Sequence, residues 1–384
     1  MKKRLLKLIE CKKCWQDFKL HVFKEENKEI KDGLLVCPQC NNYYSIVNFI
    51  PRILPKKFYY NSKFELFYHQ QIKKIVKDYQ FEEDKDFFKK LKQDNIKFFG
   101  YEWVHFDRHG FDDRIYHEKF EKNIFHEKTL LRTKELNNKL VLDAGCGNGR
   151  YTYQALCCGA EVVGFDLGPG VESAYHNTAQ FPKAHIIQSD IFNLPFKNEV
   201  FDIAFTIGVI HHTGNSKRAF YSLLSPLKIN GTLAVTCYHK GNFIWEFNDW
   251  WIRLITTRMS IPKLMKLSNF LAKSCLFCGL AIEKPVNLLF RWEPNVSIMY
   301  DWYSAPIAHH HTYPEVYSWC KQFGINLTED LRWEKREWIR NIRWVRKFVA
   351  PDWAITVRGI KSGEKVVKLR PKHIYDKKKV SWDD

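Results

Sequence analysis

Four cysteines stand as two C-x-x-C pairs, Cys11/Cys14 and Cys37/Cys40. Each pair can present two thiolates to one ion. Two pairs close a tetrahedral set, which suits structural zinc and leaves no open coordination position for catalysis. A second constellation begins at Asp143 and runs through Gly145, Gly147 and Gly149. The glycines let the backbone approach a ligand closely at a helix start. The dinucleotide fingerprint G-x-G-x-x-G would need glycine where Arg150 stands. An acid just before the loop favours a cationic ligand over a pyrophosphate. Asp166 follows, where a carboxylate can accept from both ribose hydroxyls, and Asp190 ends a further apolar run.

Two more groups contain histidine. His211 and His212 follow the run Phe201–Ile207, and an imidazole there can act as a base near neutral pH or belong to the loop. The stretch Asp301-Trp302-Tyr303 to His309-His310-His311 admits two readings, lining of a substrate pocket or capping and packing. Adjacent histidines point in different directions, which disfavours one shared ion. Thr312 and Glu315 form a capping-box pair for a helix running to Phe323. Cys275 and Cys278 lie on an apolar helical stretch and read as core.

These residues need elements to position them. Leu140–Leu142, Glu161–Asp166, Ala184–Asp190, Phe201–Ile207 and Thr232–Tyr238 read as five strands, with helix between the first two and from Leu223 to Ile229. The order resembles class I S-adenosylmethionine-dependent methyltransferases of the type 11-like group. That resemblance implies an α/β, Rossmann-like, seven-stranded core binding S-adenosylmethionine. It assigns Asp143, Gly145, Gly147, Gly149, Asp166, Leu167, Asp190, Ile191 and Ile207 to the cofactor. Asp190 would accept from the adenine amino group and the Ile191 amide would donate to the ring. The aromatic run Phe99–Phe106 precedes the core, and in relatives such a segment closes over cofactor and substrate. Packing on the core is the other reading. Tyr101, Trp103, Asp301, Tyr303 and His310 are therefore substrate-pocket candidates, and His211 and His212 candidate catalytic groups.

Around the cysteine pairs, alternating apolar residues suggest short strands, with Lys31-Asp32-Gly33 as a turn. Together with Tyr43–Ile46 and Ile50-Pro51, this segment resembles the zinc-ribbon activator of methyltransferases. The resemblance implies a β-rich zinc ribbon holding one structural zinc ion.

The chain has 384 residues, 45% hydrophobic and 27% charged, which excludes a mainly disordered or rod-like protein. The net charge is +18 and concentrates toward both ends, leaving nucleic acid possible as a partner. No run is long and apolar enough to span a membrane and no signal peptide is apparent, so a cytoplasmic protein is expected. The expected organisation is a zinc ribbon over 1–58, a helical and aromatic connecting segment over 59–137, a methyltransferase domain over 138–360 with a helical insertion over 241–300, and a basic tail over 361–384. Trp245, Trp250 and Trp251 in the insertion fit a buried helical subdomain, a lid or a membrane-facing surface. The favoured function is methyl transfer to oxygen or nitrogen of a small-molecule or glycan/lipid-precursor substrate. The alternative is a tRNA or rRNA base methyltransferase with a fused zinc-ribbon activator, since Gly147–Tyr151 and Ile207–His212 also resemble wobble-uridine tRNA methyltransferases.

Overall fold

The computed structural model describes residues 1–54, 62–76, 94–111, 118–279, 282, 286–287, 289–331 and 354–363. Eleven strands form one sheet: β1 Lys19–Glu26, β2 Glu29–Val36, β3 Tyr43–Val47, β4 Ile50–Ile53, β5 Leu140–Ala144, β6 Glu161–Asp166, β7 Ala184–Ser189, β8 Phe201–Ile207, β9 Leu227–Tyr238, β10 Ile325–Asp330 and β11 Ala354–Lys361. Their order is β1-β2-β3-β4-β7-β6-β5-β8-β9-β11-β10. Strands β4 to β9 pair in parallel across the centre, and β11 inserts antiparallel between β9 and β10. The seven strands β5 to β11 form the Rossmann-like α/β core. The central strands are buried along nearly their whole length, as expected when both faces of a parallel sheet are covered.

The helices are α1 Ser62–Phe67, α2 His69–Ile75, α3 Asp94–His105, α4 Glu118–Thr129, α5 Thr133–Leu136, α6 Arg150–Cys157, α7 Gly170–Thr178, α8 Ser216–Ser222, α9 Phe243–Thr256, α10 Ile261–Cys278, α11 Val296–Ser304 and α12 Tyr313–Gln322. The predicted cap of α12 is present, with Thr312 and Glu315 exchanging side-chain to backbone bonds. The helix predicted over Leu223–Ile229 is replaced. Helix α8 stops at Ser222 and β9 starts at Leu227. Pro226 lies between them, and its missing N–H and ring cannot continue a helix.

The four N-terminal strands extend the core sheet. Arg52 and Ile53 of β4 pair with Gln188 and Ser189 of β7. Leu5, Leu8, Ile9, Ile30 and Ile46 share one apolar cluster with Leu142, Ile187 and Phe196 of the core. The predicted turn at Lys31–Gly33 lies instead inside β2. The chain reverses at Asn27 and Lys28, both at positive φ, the geometry of a tight hairpin. Gly33 is required for close approach, since a β-carbon there would lie 2.5 Å from the His21 carbonyl oxygen.

Trp245, Ala272, Cys275, Trp292 and Met299 of the insertion share one cluster with Trp302 and Tyr303, which follow it. Trp245 is buried, whereas Trp250 and Trp251 are exposed. Cys275 is buried in this cluster and Cys278 packs against it. Among the described residues, no helix is long and apolar enough to cross a membrane. The basic aromatic run over 333–344 and most of the C-terminal tail lie outside the described residues.

Candidate active site and cysteine cluster

The glycine loop joins β5 to α6 at the carboxyl end of the sheet, where ligands of open α/β sheets bind. Gly145, Gly147 and Gly149 all have positive φ, a region closed to most side chains. Gly145 and Cys146 donate their amides to the Phe165 carbonyl of β6, at 2.8 and 2.9 Å, which pins the loop across the strand ends.

Asp143 is buried beneath the loop and accepts from the Thr152 hydroxyl at 2.6 Å. Burial pushes its carboxyl up to about 7, against the pull of that hydroxyl and with a further push from Asp166. Asp166 ends β6. It accepts from the Gly147 amide at 3.1 Å and the Gly168 amide at 2.8 Å. Burial also raises its carboxyl, and those amides oppose the shift. Asp190, just past β7, accepts from the Phe192 amide at 2.9 Å. Leu167 accepts at its carbonyl from the Gln188 side chain at 2.9 Å, and Ile191 and Ile207 are buried. The structure thus brings Asp143, Asp166 and Asp190 to the ends of three neighbouring strands, beside one loop.

Helix α3 lies over this loop. A β-carbon on Gly147 would sit 2.9 Å from the Trp103 ring, and one on Gly170 would sit 2.8 Å from Trp103 Cβ. Tyr101, two residues earlier, stacks on His105 and meets Tyr300 of α11 at 5.7 Å. Arg150 ties this cover to the core through an ion pair with buried Glu121 and a 3.2 Å bond to His109 Nε2. His109 Nδ1 contacts the Ser297 hydroxyl at 3.0 Å, and that hydroxyl donates to Asn295, the N-cap of α11.

His211 and His212 lie in a single 3-10 turn after β8, both buried. The Tyr238 amide donates to His211 Nδ1 at 3.3 Å, so the ring proton sits on Nε2. His212 Nδ1 donates to the Ile307 carbonyl at 2.8 Å. Burial holds His211 well below the ordinary imidazole range and His212 down to about 3. The second histidine group diverges. His310 bonds Glu246 at 2.8 Å, His311 bonds Glu315 at 2.9 Å, and His309 is exposed. Tyr303 donates its hydroxyl to the Arg291 carbonyl at 2.7 Å. Asp301 is half-buried on α11 beside Arg253 and Arg291, whose guanidinium groups flank the Trp302 ring at 5.5 and 4.6 Å. Sequence reasoning missed Tyr238, Arg253 and Arg291. None sits in a spaced motif, and only the packing of β9, α9 and α11 gathers them.

The sulfur atoms of Cys11, Cys14, Cys37 and Cys40 lie within 4.8 Å of one another, with Cys11 and Cys40 3.6 Å apart. Four sulfurs about 2.3 Å from one ion would stand roughly this close. Among the described residues this is the group of three or more His, Cys, Asp or Glu side chains close enough to share a metal.

With this geometry in place, similarity to known proteins decides the domain. Residues 135–280 match a family described as a methyltransferase domain. The chain carries a methyltransferase domain. A tRNA U34 carboxymethyltransferase of Cellvibrio japonicus is 29% identical over 150 residues, 35% of this chain and 47% of that protein. The tRNA (carboxymethyluridine(34)-5-O)-methyltransferase of Saccharomyces cerevisiae is 30% identical over 111 residues, 28% of this chain and 38% of that one. The chain thus spans less than half the length of these curated relatives. A solved Haloferax volcanii complex of the Trm112 methyltransferase activator with a methyltransferase has a TM-score of 0.41 at 13% identity. It covers 69% of this chain and 98% of that one. The relatives overturn the expectation of a small-molecule or glycan/lipid-precursor acceptor, because both are enzymes of tRNA.

Proposed function

We propose that the chain is an S-adenosylmethionine-dependent methyltransferase acting on tRNA, with the wobble uridine as the modified nucleoside. The observation that carries this reading is the likeness of the methyltransferase domain to tRNA U34 enzymes. The net charge of +18 supports it, since phosphate contacts dominate nucleic-acid affinity. Such a substrate places the reaction in the cytoplasm.

The residues present fit the cofactor. Gly145, Gly147 and Gly149 turn the loop as bare backbone, closely covered by Val209, Trp103 and Ala174 in turn, and Asp166 stands at the β6 end with its carboxylate oxygens accepting from the Gly147 and Gly168 amides. Asp190, Ile191 and Leu167 would hold the adenine part of the cofactor and Ile207 its methionine part. S-adenosylmethionine supplies an electrophilic methyl group there. The chain's own part is to hold the acceptor in line and to exclude water, which the α3 cover with Trp103 serves. We assign His211 and His212 to holding the turn after β8, because burial keeps both neutral and the His211 Nδ1 lone pair is used by Tyr238.

We assign one structural zinc ion to Cys11, Cys14, Cys37 and Cys40. With all four positions filled by thiolates, it is a staple for the N-terminal strands and takes no part in transfer.

The test is methyl-labelled S-adenosylmethionine with total tRNA. Label retained in RNA, lost on nuclease digestion and mapped to position 34, is the expected result. Label confined to protein or small molecules would overturn it.

A further inference from the structure

The insertion carries a surface that the transfer chemistry does not use. Helix α9 buries Trp245, Asp249 and Thr256 along one face. A surface helix ordinarily turns polar and charged side chains to the opposite face. Here that side carries Phe243, Phe247, Trp250, Trp251 and Ile255, all exposed, with Phe243 83% exposed. The Phe247 ring stacks on Phe243 at 6.4 Å and lies 6.1 Å from Trp250, so the rings form a strip along the helix. Helix α10 buries Leu264, Ser268, Ala272 and Cys275. Its outward seam mixes cations and rings, as Lys263, Lys266, Phe270, Lys273 and Phe277, with Phe277 93% exposed. Trp245 shares a buried cluster with Ala272 and Cys275, so the start of α9 lies against the end of α10. The two outward faces therefore belong to one helical hairpin, closed by the short turn over 257–260.

The charge on this hairpin is one-sided. Its two acids are tied into the fold. Glu246 bonds His310 at 2.8 Å, and Asp249 accepts from Arg253 at 2.7 Å and from the Trp302 indole at 2.8 Å. The exposed charged side chains between 243 and 278 are Arg258, Lys263, Lys266 and Lys273. Apolar exposure on this scale marks a docking surface, and the cations beside it call for an anionic partner.

We propose that this hairpin docks on an anionic phospholipid membrane, with the rings of α9 and α10 in the boundary between headgroups and acyl chains and the four cations on lipid phosphates. The proposal goes beyond the transfer reaction and does not depend on its acceptor. Exposed Trp, Phe and Ile beside Lys and Arg are the side chains by which helices lie in a membrane interface. RNA fits this face less well. Phosphate contacts dominate its binding, and the one cation within α9, Arg253, is engaged by Asp249. Exposed Ile255 and Leu276 offer no plane on which a base can stack. A second copy of the chain also fits less well. A two-fold contact would set these cations against their own copies, with no exposed acid on the hairpin to meet them.

Vesicle flotation of the full chain tests the proposal. The wild type should float with phosphatidylcholine vesicles containing about 30 mol% phosphatidylglycerol, and should bind pure phosphatidylcholine about 10-fold more weakly. Phe247→Ser/Trp250→Ser should lower partitioning onto the anionic vesicles about 10-fold or more, with an unchanged melting temperature. Lys263→Gln/Lys266→Gln/Lys273→Gln, at exposed positions outside the core, should shrink the preference for anionic over neutral lipid. A wild type that stays off the anionic vesicles overturns the proposal, and so does vesicle binding that both variants leave unchanged. Two other results would overturn it in favour of another occupant. One is tRNA affinity that falls in Phe247→Ser/Trp250→Ser while the wild type ignores vesicles. The other is a wild-type dimer in sedimentation, again without vesicle binding, that this variant abolishes.

Discussion

At the residue scale, Asp143 is a carboxyl sealed from water with one hydroxyl for support. Replacing Thr152 by valine removes that donor and leaves the acid buried with less compensation, so Thr152→Val should lower unfolding free energy by about 1–3 kcal/mol. Urea denaturation at pH 8 measures it, and the loss should shrink below pH 6, where Asp143 is protonated. Asp166 differs because its oxygens meet two loop amides. Asp166→Ala should weaken S-adenosylhomocysteine binding by about 10-fold or more, since charged hydrogen bonds contribute about 1.5–3 kcal/mol each. Unchanged affinity by calorimetry would remove Asp166 from the cofactor site. The Gly147 amide also explains why this residue tolerates no side chain: at φ 52 with Trp103 overhead, even alanine would push α3 away.

At the element scale, the turn after α3 is linked to α6 and α11 by the chain Arg150–His109–Ser297–Asn295. His109 works there as a neutral ring, accepting at Nε2 and donating at Nδ1. Burial first, then the Arg150 and Lys128 charges, hold its pKa down to about 3. The sign follows directly. The unfolded chain takes up a proton near 6.5 that the folded chain refuses until about 3, so the histidine's contribution is complete above pH 6.5 and is lost as pH falls. His109→Gln should therefore be most destabilising at pH 7–8, and its deficit should shrink steadily toward pH 4. Denaturation curves of both proteins across that range supply the check, and a deficit independent of pH would show that the ring is not held neutral. The α12 cap offers a simpler test, with Thr312→Ala expected to cost about 1 kcal/mol.

At the scale of the whole molecule, the strands next to the cysteine cluster are the edge of the same sheet that carries the glycine loop. β4 lies on β7, β7 on β6, and β6 on β5. The apolar cluster under that edge also runs without interruption from Leu5 to Phe196 and Phe201. Loss of the cysteine cluster should therefore destabilise both parts together. Cys37→Ser, or treatment with a strong chelator, is expected to lower the melting temperature of the protein as one transition. A separate early transition, with the cofactor domain melting unchanged, would show instead that the N-terminal strands unfold alone.

Local rules made much of this protein legible. The paired cysteine spacing, the glycine loop between two acids and the alternation of strand and helix each state a requirement that nearby residues must meet. Thiolates must converge on one ion, the backbone must take positive φ, and parallel strands must be apolar throughout. The turn at Lys31–Gly33 and the helix over Leu223–Ile229 failed where a local signal was outweighed. Hairpin register moved the turn to Asn27-Lys28, and Pro226 ended the helix early. Tertiary structure alone decided that the N-terminal strands continue the core sheet and that His211 and His212 are buried and neutral. The physical reason is distance along the chain. Desolvation and charge coupling depend on which far-apart helices pack together, and no spacing of neighbours encodes that.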